Sequence, residues 1–249
     1  MTTLKVNAIE PEGATTNLAV GMTGQNVVVG GSGGIKVNTM KDAGGNTLFT
    51  SNGSGVLSSV SGFGGAQVLL STTTVSSAVA NISFTSGMSS TYKEYIFDFI
   101  NIQPVTDATY WSFQANASGQ SGFNETIQST SLRTYHSEAD GGNTGAPHND
   151  LVYQTNFDQA NGTSYQTLTA DTANDADGGL VGELHIFNPA STTYVKHFYA
   201  KIQLMHNANY TEELYTSGYI NVTAAITQID FKFNSGNIAA GKIKMYGVK

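Results

Sequence analysis

Residues 196–204 read KHFYAKIQL. Successive side chains of a β-strand point to opposite sides of a sheet, and every second side chain here is apolar. One face of this stretch therefore carries four apolar residues: Phe198, Ala200, Ile202 and Leu204. The alternation predicts a strand that buries one face and exposes the other.

Two further stretches extend the same argument. In residues 227–233 the apolar side chains Ile229, Phe231 and Phe233 lie on one face, opposite a polar set. Residues 95–102 are apolar on both faces apart from Asp98, which is typical of a strand in the middle of a sheet.

The rest of residues 66–249 carries short β-type segments separated by glycine turns, and no stretch keeps a 3.6-residue period over three turns. The predicted strands cover residues 67–71, 79–85, 92–102, 110–117, 132–137, 151–156, 165–169, 180–187, 195–205, 219–222, 226–234 and 242–248. This number of short strands predicts an all-β, two-sheet sandwich of jelly-roll type over residues 66–249.

Residues 1–65 have a different composition. Residues 1–66 hold half of the 28 glycines but only Phe49 and Phe63 among the aromatic residues. Their apolar residues come in short, regularly spaced groups, which include Val27, Val28, Val29, Ile35 and Val37. One copy of such a segment buries too little apolar area to offset the backbone entropy lost on ordering.

Two structures for this segment remain open. It is either a flexible glycine- and serine-rich linker, or a glycine-rich β shaft in which identical chains intertwine and supply the missing core. The regular spacing favours the shaft, with the five aliphatic residues named above at the contacts between chains.

Composition excludes several classes of partner and site. The net charge of −7 argues against nucleic acid as a partner, and no apolar run is long enough for membrane insertion. The chain has no cysteine, which excludes disulfides and thiolate metal sites. At the N-terminus no basic stretch precedes an apolar stretch, so a signal peptide is not predicted, and no cofactor is predicted.

Aromatic residues at predicted strand ends and loops are the candidate glycan-binding residues: Tyr110, Trp111, Tyr135, Tyr153 and Tyr165. Exposed aromatic rings beside amides and carboxylates can stack on sugar rings while the polar groups bind hydroxyls. The alternative is that these rings complete the core or contacts between subunits.

The densest acidic segment contains Asp171, Asp175 and Asp177, and it is a weak candidate for calcium because calcium prefers several oxygen ligands on a loop. Its spacing does not match an EF-hand loop, and a solvated glycine turn is the simpler interpretation. No nucleophile elbow, phosphate loop or paired-carboxylate spacing identifies catalytic residues, so the sequence predicts a protein that is not an enzyme.

Several segments resemble known proteins. Residues 3–9, TLKVNAI, resemble the N-terminus of tail-fibre-like virion proteins of bacteriophages, especially cyanobacterial phages, and residues 42–55 are similar to their repeated shaft segments. In the body, residues 82–84, 92–97, 102–104, 226–233 and 241–247 resemble the β-sandwich modules of phage fibres.

The resemblance implies a homotrimeric structural protein of the virion, made in the host cytoplasm. Residues 1–65 would dock on other virion proteins, and the head at residues 66–249 would face a host-surface glycan or lipopolysaccharide. The resemblance carries no catalytic residue. Two alternatives stay open: a capsid head-decoration or assembly fibre without a receptor role, and a secreted lectin-like carbohydrate-binding module. Position on the particle, receptor identity and the need for a chaperone are left open too.

Overall fold

The computed structural model describes residues 39–51, 53–54, 57–58, 67–138 and 149–249. The chain divides into two units, Met1–Phe63 and Gly64–Lys249. The described residues form strands, turns and bends and contain no helix, so the protein is all-β in this part of the chain.

In the first unit the described residues form an antiparallel sheet of β1 (Thr39–Lys41), β2 (Thr47–Ser51) and β3 (Leu57–Ser58), in that order. Asp42 closes the turn between β1 and β2, because its Oδ1 accepts hydrogen bonds of 2.8 Å from the backbone N–H groups of Gly44 and Asn46. The predicted shaft contacts fall outside the described residues: Val27, Val28, Val29, Ile35 and Val37.

The described residues of the second unit form two antiparallel sheets. Their strands are β4 (Gln67–Val75), β5 (Ile82–Phe84), β6 (Glu94–Pro104), β7 (Trp111–Ala117), β8 (Ile127–Ser137), β9 (Asn149–Tyr153), β10 (Gln166–Thr167), β11 (Leu180–Phe187), β12 (Lys196–His206), β13 (Tyr210–Ile220), β14 (Ile226–Phe233) and β15 (Ile238–Val248). The larger sheet has the order β4-β15-β6-β11-β12-β13-β8-β9, and the smaller one has the order β10-β7-β14-β5.

Side chains from both sheets pack into one core. At its centre Phe231 of β14 stacks on Trp111 of β7 with ring centroids 5.9 Å apart, and it meets Phe97 and Phe99 of β6 edge-on or tilted at 5.2 Å. Fully buried aromatic rings of this size contribute most of the apolar area that a two-sheet fold removes from water. The larger sheet therefore turns one face to this core and the other face outward.

The alternation of residues 196–204 is confirmed, because the apolar set on β12 is buried and its polar neighbours are exposed. The prediction of a central strand at residues 95–102 is also confirmed, since β6 lies between β15 and β11. Asp98, the one polar interruption, is half-buried on the outer face.

The sequence prediction is wrong for β13. In this part of the chain it places a strand at residues 219–222 and none before them. The structure extends β13 from Tyr210 to Ile220, paired along its whole length with β12 and β8. Glu212 explains the error, because this carboxylate faces inward at 1% exposure and breaks the apolar alternation that identifies a strand.

Candidate functional site

The outer face of the larger sheet carries a row of large side chains across four strands. The register places Lys201 opposite Tyr215, Tyr215 opposite Leu132, and Leu132 opposite Tyr153. Paired residues of neighbouring strands project to the same side of a sheet, about 5 Å apart. Tyr215, Leu132 and Tyr153 are 42%, 43% and 52% exposed, so the row is open to solvent.

Tyr199 lies two residues before Lys201 on β12 and points to the same face, so it extends this row. Its ring stacks on His185 at a centroid distance of 4.3 Å, and it remains 40% exposed. Glu94 fixes the histidine from one side, with its Oε1 at 2.5 Å from Nδ1. A depression of about 330 Å³ lies between Tyr199, Tyr215 and Leu132. We call Tyr199, Tyr215, Leu132 and Tyr153 the outer-face platform.

Beside the platform the same face carries a polar groove made of two adjoining depressions. The larger has a volume of about 570 Å³, and its lining residues on the outer face include Thr134, His136, Gln203, Thr211 and Glu213. The second has a volume of about 330 Å³, includes Glu183 and Lys201, and shares Gln203 and Glu213 with the first. The two depressions therefore adjoin, and we call them together the polar groove.

The groups of the polar groove are held in place by one another. Lys201 Nζ lies 3.0 Å from Glu213 Oε1 and 5.5 Å from the centroid of the Tyr215 ring. Hydrogen bonding to Glu213 raises the pKa of Lys201, so its ammonium stays charged. Gln203 Nε2 donates a hydrogen bond of 3.1 Å to Thr211 Oγ1.

Behind the groove, on the inner side of β8 and β13, lies a buried polar cluster. Its members are Tyr110, Arg133, Tyr135, Asp171, His206, Tyr210 and Glu212. Burial raises the pKa of Glu212 to about 7, against the lowering effect of Arg133, whose Nη1 lies 3.5 Å from Oε1. Neither carboxylate oxygen of Glu212 has a hydrogen-bond partner.

His206 occupies the other side of this cluster. Its ring stacks on Tyr210 at a centroid distance of 3.9 Å, and its Nε2 lies 3.5 Å from Asp171 Oδ2. Burial lowers the pKa of His206, and the Asp171 charge opposes that shift. Burial, followed by the charge of Asp171, raises the pKa of Tyr110. Because the two Glu212 oxygens are out of contact with solvent, the cluster supports the groove from beneath and does not present a carboxylate to a ligand.

The five aromatic residues predicted to bind glycan lie in four different places. Tyr135 belongs to the buried polar cluster, as does Tyr110, and Tyr153 belongs to the outer-face platform. Tyr110 is half-buried, with its ring 5.5 Å from that of Phe157. Tyr165 packs on the outer side of the smaller sheet, where its hydroxyl donates a 2.8 Å hydrogen bond to Asp230 Oδ2 and Lys232 Nζ lies 4.0 Å from its ring centroid.

The prediction for Trp111 is corrected by the structure. Its ring has 0% exposure and lies in the core against Phe231 and Phe233, so it has no face to offer to a sugar. The sequence places it at a strand end, and it does begin β7, but its ring faces the core between the two sheets, where it meets Phe99 of β6.

The acidic segment does not assemble a metal site. Asp171 turns towards His206, whereas Asp175 and Asp177 are exposed in the turn before β11. Among the described residues no group of three or more histidine, aspartate or glutamate side chains is arranged to hold a metal ion.

Most residues of the platform and groove are not among the five aromatic residues predicted from the sequence to bind glycan. The main ones are Tyr199, Tyr215, Leu132, Lys201 and Glu213. An outward position for Tyr199 and Lys201 follows from the alternation of residues 196–204. Their proximity to Leu132 does not, because it depends on the pairing of β12, β13 and β8.

The chain matches no family model, and no curated protein or solved structure matches it. Within the residues that the structure describes, no helix is long and apolar enough to cross a membrane.

Proposed function

We propose that the protein binds carbohydrate through the outer face of its larger sheet. The observation that carries this proposal is the outer-face platform, three tyrosines and a leucine that lie side by side and 40–52% exposed beside a groove of carboxylate, amide and hydroxyl groups. Exposed apolar patches with a polar rim mark binding surfaces in soluble proteins. Tyrosine faces can pack against the C–H faces of sugar rings while the groove binds their hydroxyls.

We further propose that this surface belongs to the head of a structural virion fibre without catalytic activity. In this proposal residues 1–65 form a glycine-rich, intertwined shaft that anchors a homotrimer to other virion proteins. Residues 66–249 form a jelly-roll-like head that attaches to a host-surface glycan or lipopolysaccharide. The resemblance of residues 3–9 and 42–55 to phage fibres supports the assignment, as does a chain that passes repeatedly between two facing antiparallel sheets.

The binding proposal is tested with the full chain against a panel of purified bacterial surface polysaccharides and lipopolysaccharides. We expect Tyr215→Ala and Tyr199→Ala each to weaken binding about tenfold, which corresponds to about 1.4 kcal/mol. Tyr194→Ala is the matched control, because Tyr194 is 68% exposed and lies outside the platform. Equal affinities for the wild type and both platform variants would remove the platform from the proposal.

The assembly proposal is tested by the native mass of the full chain. We expect a mass near three times 26.2 kDa. A trimer that binds no glycan and is found on the particle would instead be a head-decoration fibre.

A secreted lectin-like module is the second candidate. It is favoured by one observation, namely that every group of the platform and groove lies within the unit Gly64–Lys249. A monomeric native mass together with glycan binding would select this candidate over the fibre.

A further inference from the structure

We propose that the polar groove selects extended glycans whose sugars are neutral or carry amines, and that it discriminates against sugars that carry carboxylate or phosphate. This inference rests on the proposed carbohydrate-binding function and names the ligand class of the same site.

The charges that line the groove are predominantly negative. Glu183 of β11 and Glu213 of β13 contribute two carboxylates from two different strands. Among the described residues that line the two depressions, Lys201 supplies the one ammonium group, and its charge is already paired with Glu213 at 3.0 Å. The nearby guanidinium of Arg133 is not available to the groove, since it lies against Glu212 and the Tyr135 ring on the inner side of the sheet.

This arrangement has opposite consequences for the two kinds of charged sugar. A bound carboxylate or phosphate would approach the carboxylates of Glu183 and Glu213, and the one ammonium group that it would meet is already paired with Glu213. Repulsion of this kind is a usual way in which a site rejects a wrong ligand. A protonated amine would find carboxylate acceptors, and charge-assisted hydrogen bonds of this kind are stronger than neutral ones. Neutral hydroxyls can donate to the same carboxylates.

The length of the surface indicates a chain of sugars as the ligand. The depressions of about 570 and 330 Å³ share Gln203 and Glu213, and a third of about 330 Å³ follows at the platform, where Tyr215 pairs with Lys201 of the groove. A single pocket for a small ligand has a volume of about 300–1,000 Å³. Three neighbouring depressions along one face therefore suit an oligosaccharide better than one sugar.

Glu213 is the specificity-determining residue in this proposal. It lines both depressions of the groove and holds Lys201, so its replacement by glutamine removes one negative charge and releases one positive charge at the same place. Glu213→Gln should therefore shift the preference of the groove towards anionic sugars. Asp175→Asn is the matched control, because it removes an exposed carboxylate that lines neither depression.

The test is a printed array of oligosaccharides of equal length in three classes: neutral, amine-bearing, and carboxylate- or phosphate-bearing. Titration calorimetry then follows on the best chain of each class. For the wild type we expect anionic chains to bind at least about tenfold more weakly than amine-bearing chains. Glu213→Gln should narrow that ratio about fivefold or more, and Asp175→Asn should preserve it. If circular dichroism shows that Glu213→Gln is poorly folded, Glu183→Gln removes another negative charge from the groove and tests the same effect.

The outcomes separate this inference from the function on which it rests. Anionic chains that bind the wild type as tightly as amine-bearing ones would overturn the inference and leave carbohydrate binding intact. An unchanged ratio in both glutamine variants would also overturn it. Absence of binding in all three classes would remove the proposed function and this inference together.

Discussion

The ammonium group of Lys196 donates a hydrogen bond of 3.0 Å to the backbone carbonyl of Val222. Two further carbonyls, those of Tyr194 at 2.7 Å and Thr223 at 3.2 Å, accept from the same nitrogen. Lys196 is 0% exposed, and burial lowers its pKa while the charge of Glu125 opposes the shift. A buried lysine thus ties the turn before β12 to the turn after β13.

Lys196→Met should destabilise the protein by about 3 kcal/mol, because it removes a fully buried ammonium group and leaves three partly buried carbonyls without this donor. Urea unfolding followed by circular dichroism measures the change in the free energy of unfolding. Lys93→Met is the control, since the side chain of Lys93 is exposed. A loss below about 0.5 kcal/mol for Lys196→Met would show that the three carbonyls do not depend on the ammonium.

Glu212 should make stability decrease as pH rises. Its pKa is raised from the ordinary 4.5 to about 7 in the folded protein. A group whose pKa is raised on folding stabilises fully below its unfolded pKa and loses that contribution as pH rises through the folded value. Relative to Glu212→Gln, the wild type should therefore lose roughly 2–3 kcal/mol between pH values of about 4.5 and 8.

The measurement is the free energy of unfolding of both proteins at several pH values, taken as a difference between them. His206 contributes with the opposite sign, since its lowered pKa removes stability as pH falls, but it is present in both proteins and largely cancels in the difference. A difference that stays constant with pH would contradict the raised pKa of Glu212.

Trp111 should report a fully shielded environment. It is the single tryptophan of the chain, so the indole fluorescence comes from this residue alone. With 0% exposure, the native protein should show emission typical of a buried indole, weak quenching by iodide, and no change when a glycan binds. Quenching as strong as that of the urea-unfolded chain would contradict the core position.

Gly182 should tolerate alanine poorly. It has a φ of +151° at a register shift in β11, and an added Cβ would meet the backbone carbonyl oxygen of Lys201 and lie 2.8 Å from Ile202 Cα. Gly119 is the matched control, because its φ of +81° is also positive but nothing lies within 4 Å of an added Cβ. Gly182→Ala should cost at least about 2 kcal/mol more than Gly119→Ala in urea unfolding. Equal losses would mean that backbone conformation, and not the contact with β12, limits this position.

The sequence predicts the fold where one face of a strand is uniformly apolar. Residues 196–204 and 227–233 satisfy this condition, and the buried positions of Phe198 and Phe231 confirm both predictions. The apolar alternation is broken at β13, where Glu212 faces inward beside Arg133. A buried ion pair looks like two polar residues in a sequence, because neither residue reveals its partner.

The candidate site was less predictable than the fold, and the reason is cross-strand register. Tyr215 and Leu132 are neighbours because β13 and β8 pair without a shift, although 83 positions separate them in the chain. The position of Trp111 is unpredictable for a related reason, since its burial depends on Phe99 of the facing sheet and on Phe231 of the neighbouring strand. Periodicity places a side chain on a face, whereas pairing decides which other side chains share that surface.

Strand β15 lies between β4 and β6 in the larger sheet, and β6 has only β11 and β15 as its neighbours. During synthesis, β6 is therefore complete long before either neighbour exists, and it leaves its backbone groups unpaired until residues 180–187 and then 238–248 follow. Closing such distant pairs is slow, and an apolar strand with two open edges associates readily with other chains in the meantime. The yield of soluble protein should thus depend on the chain concentration at the moment of folding.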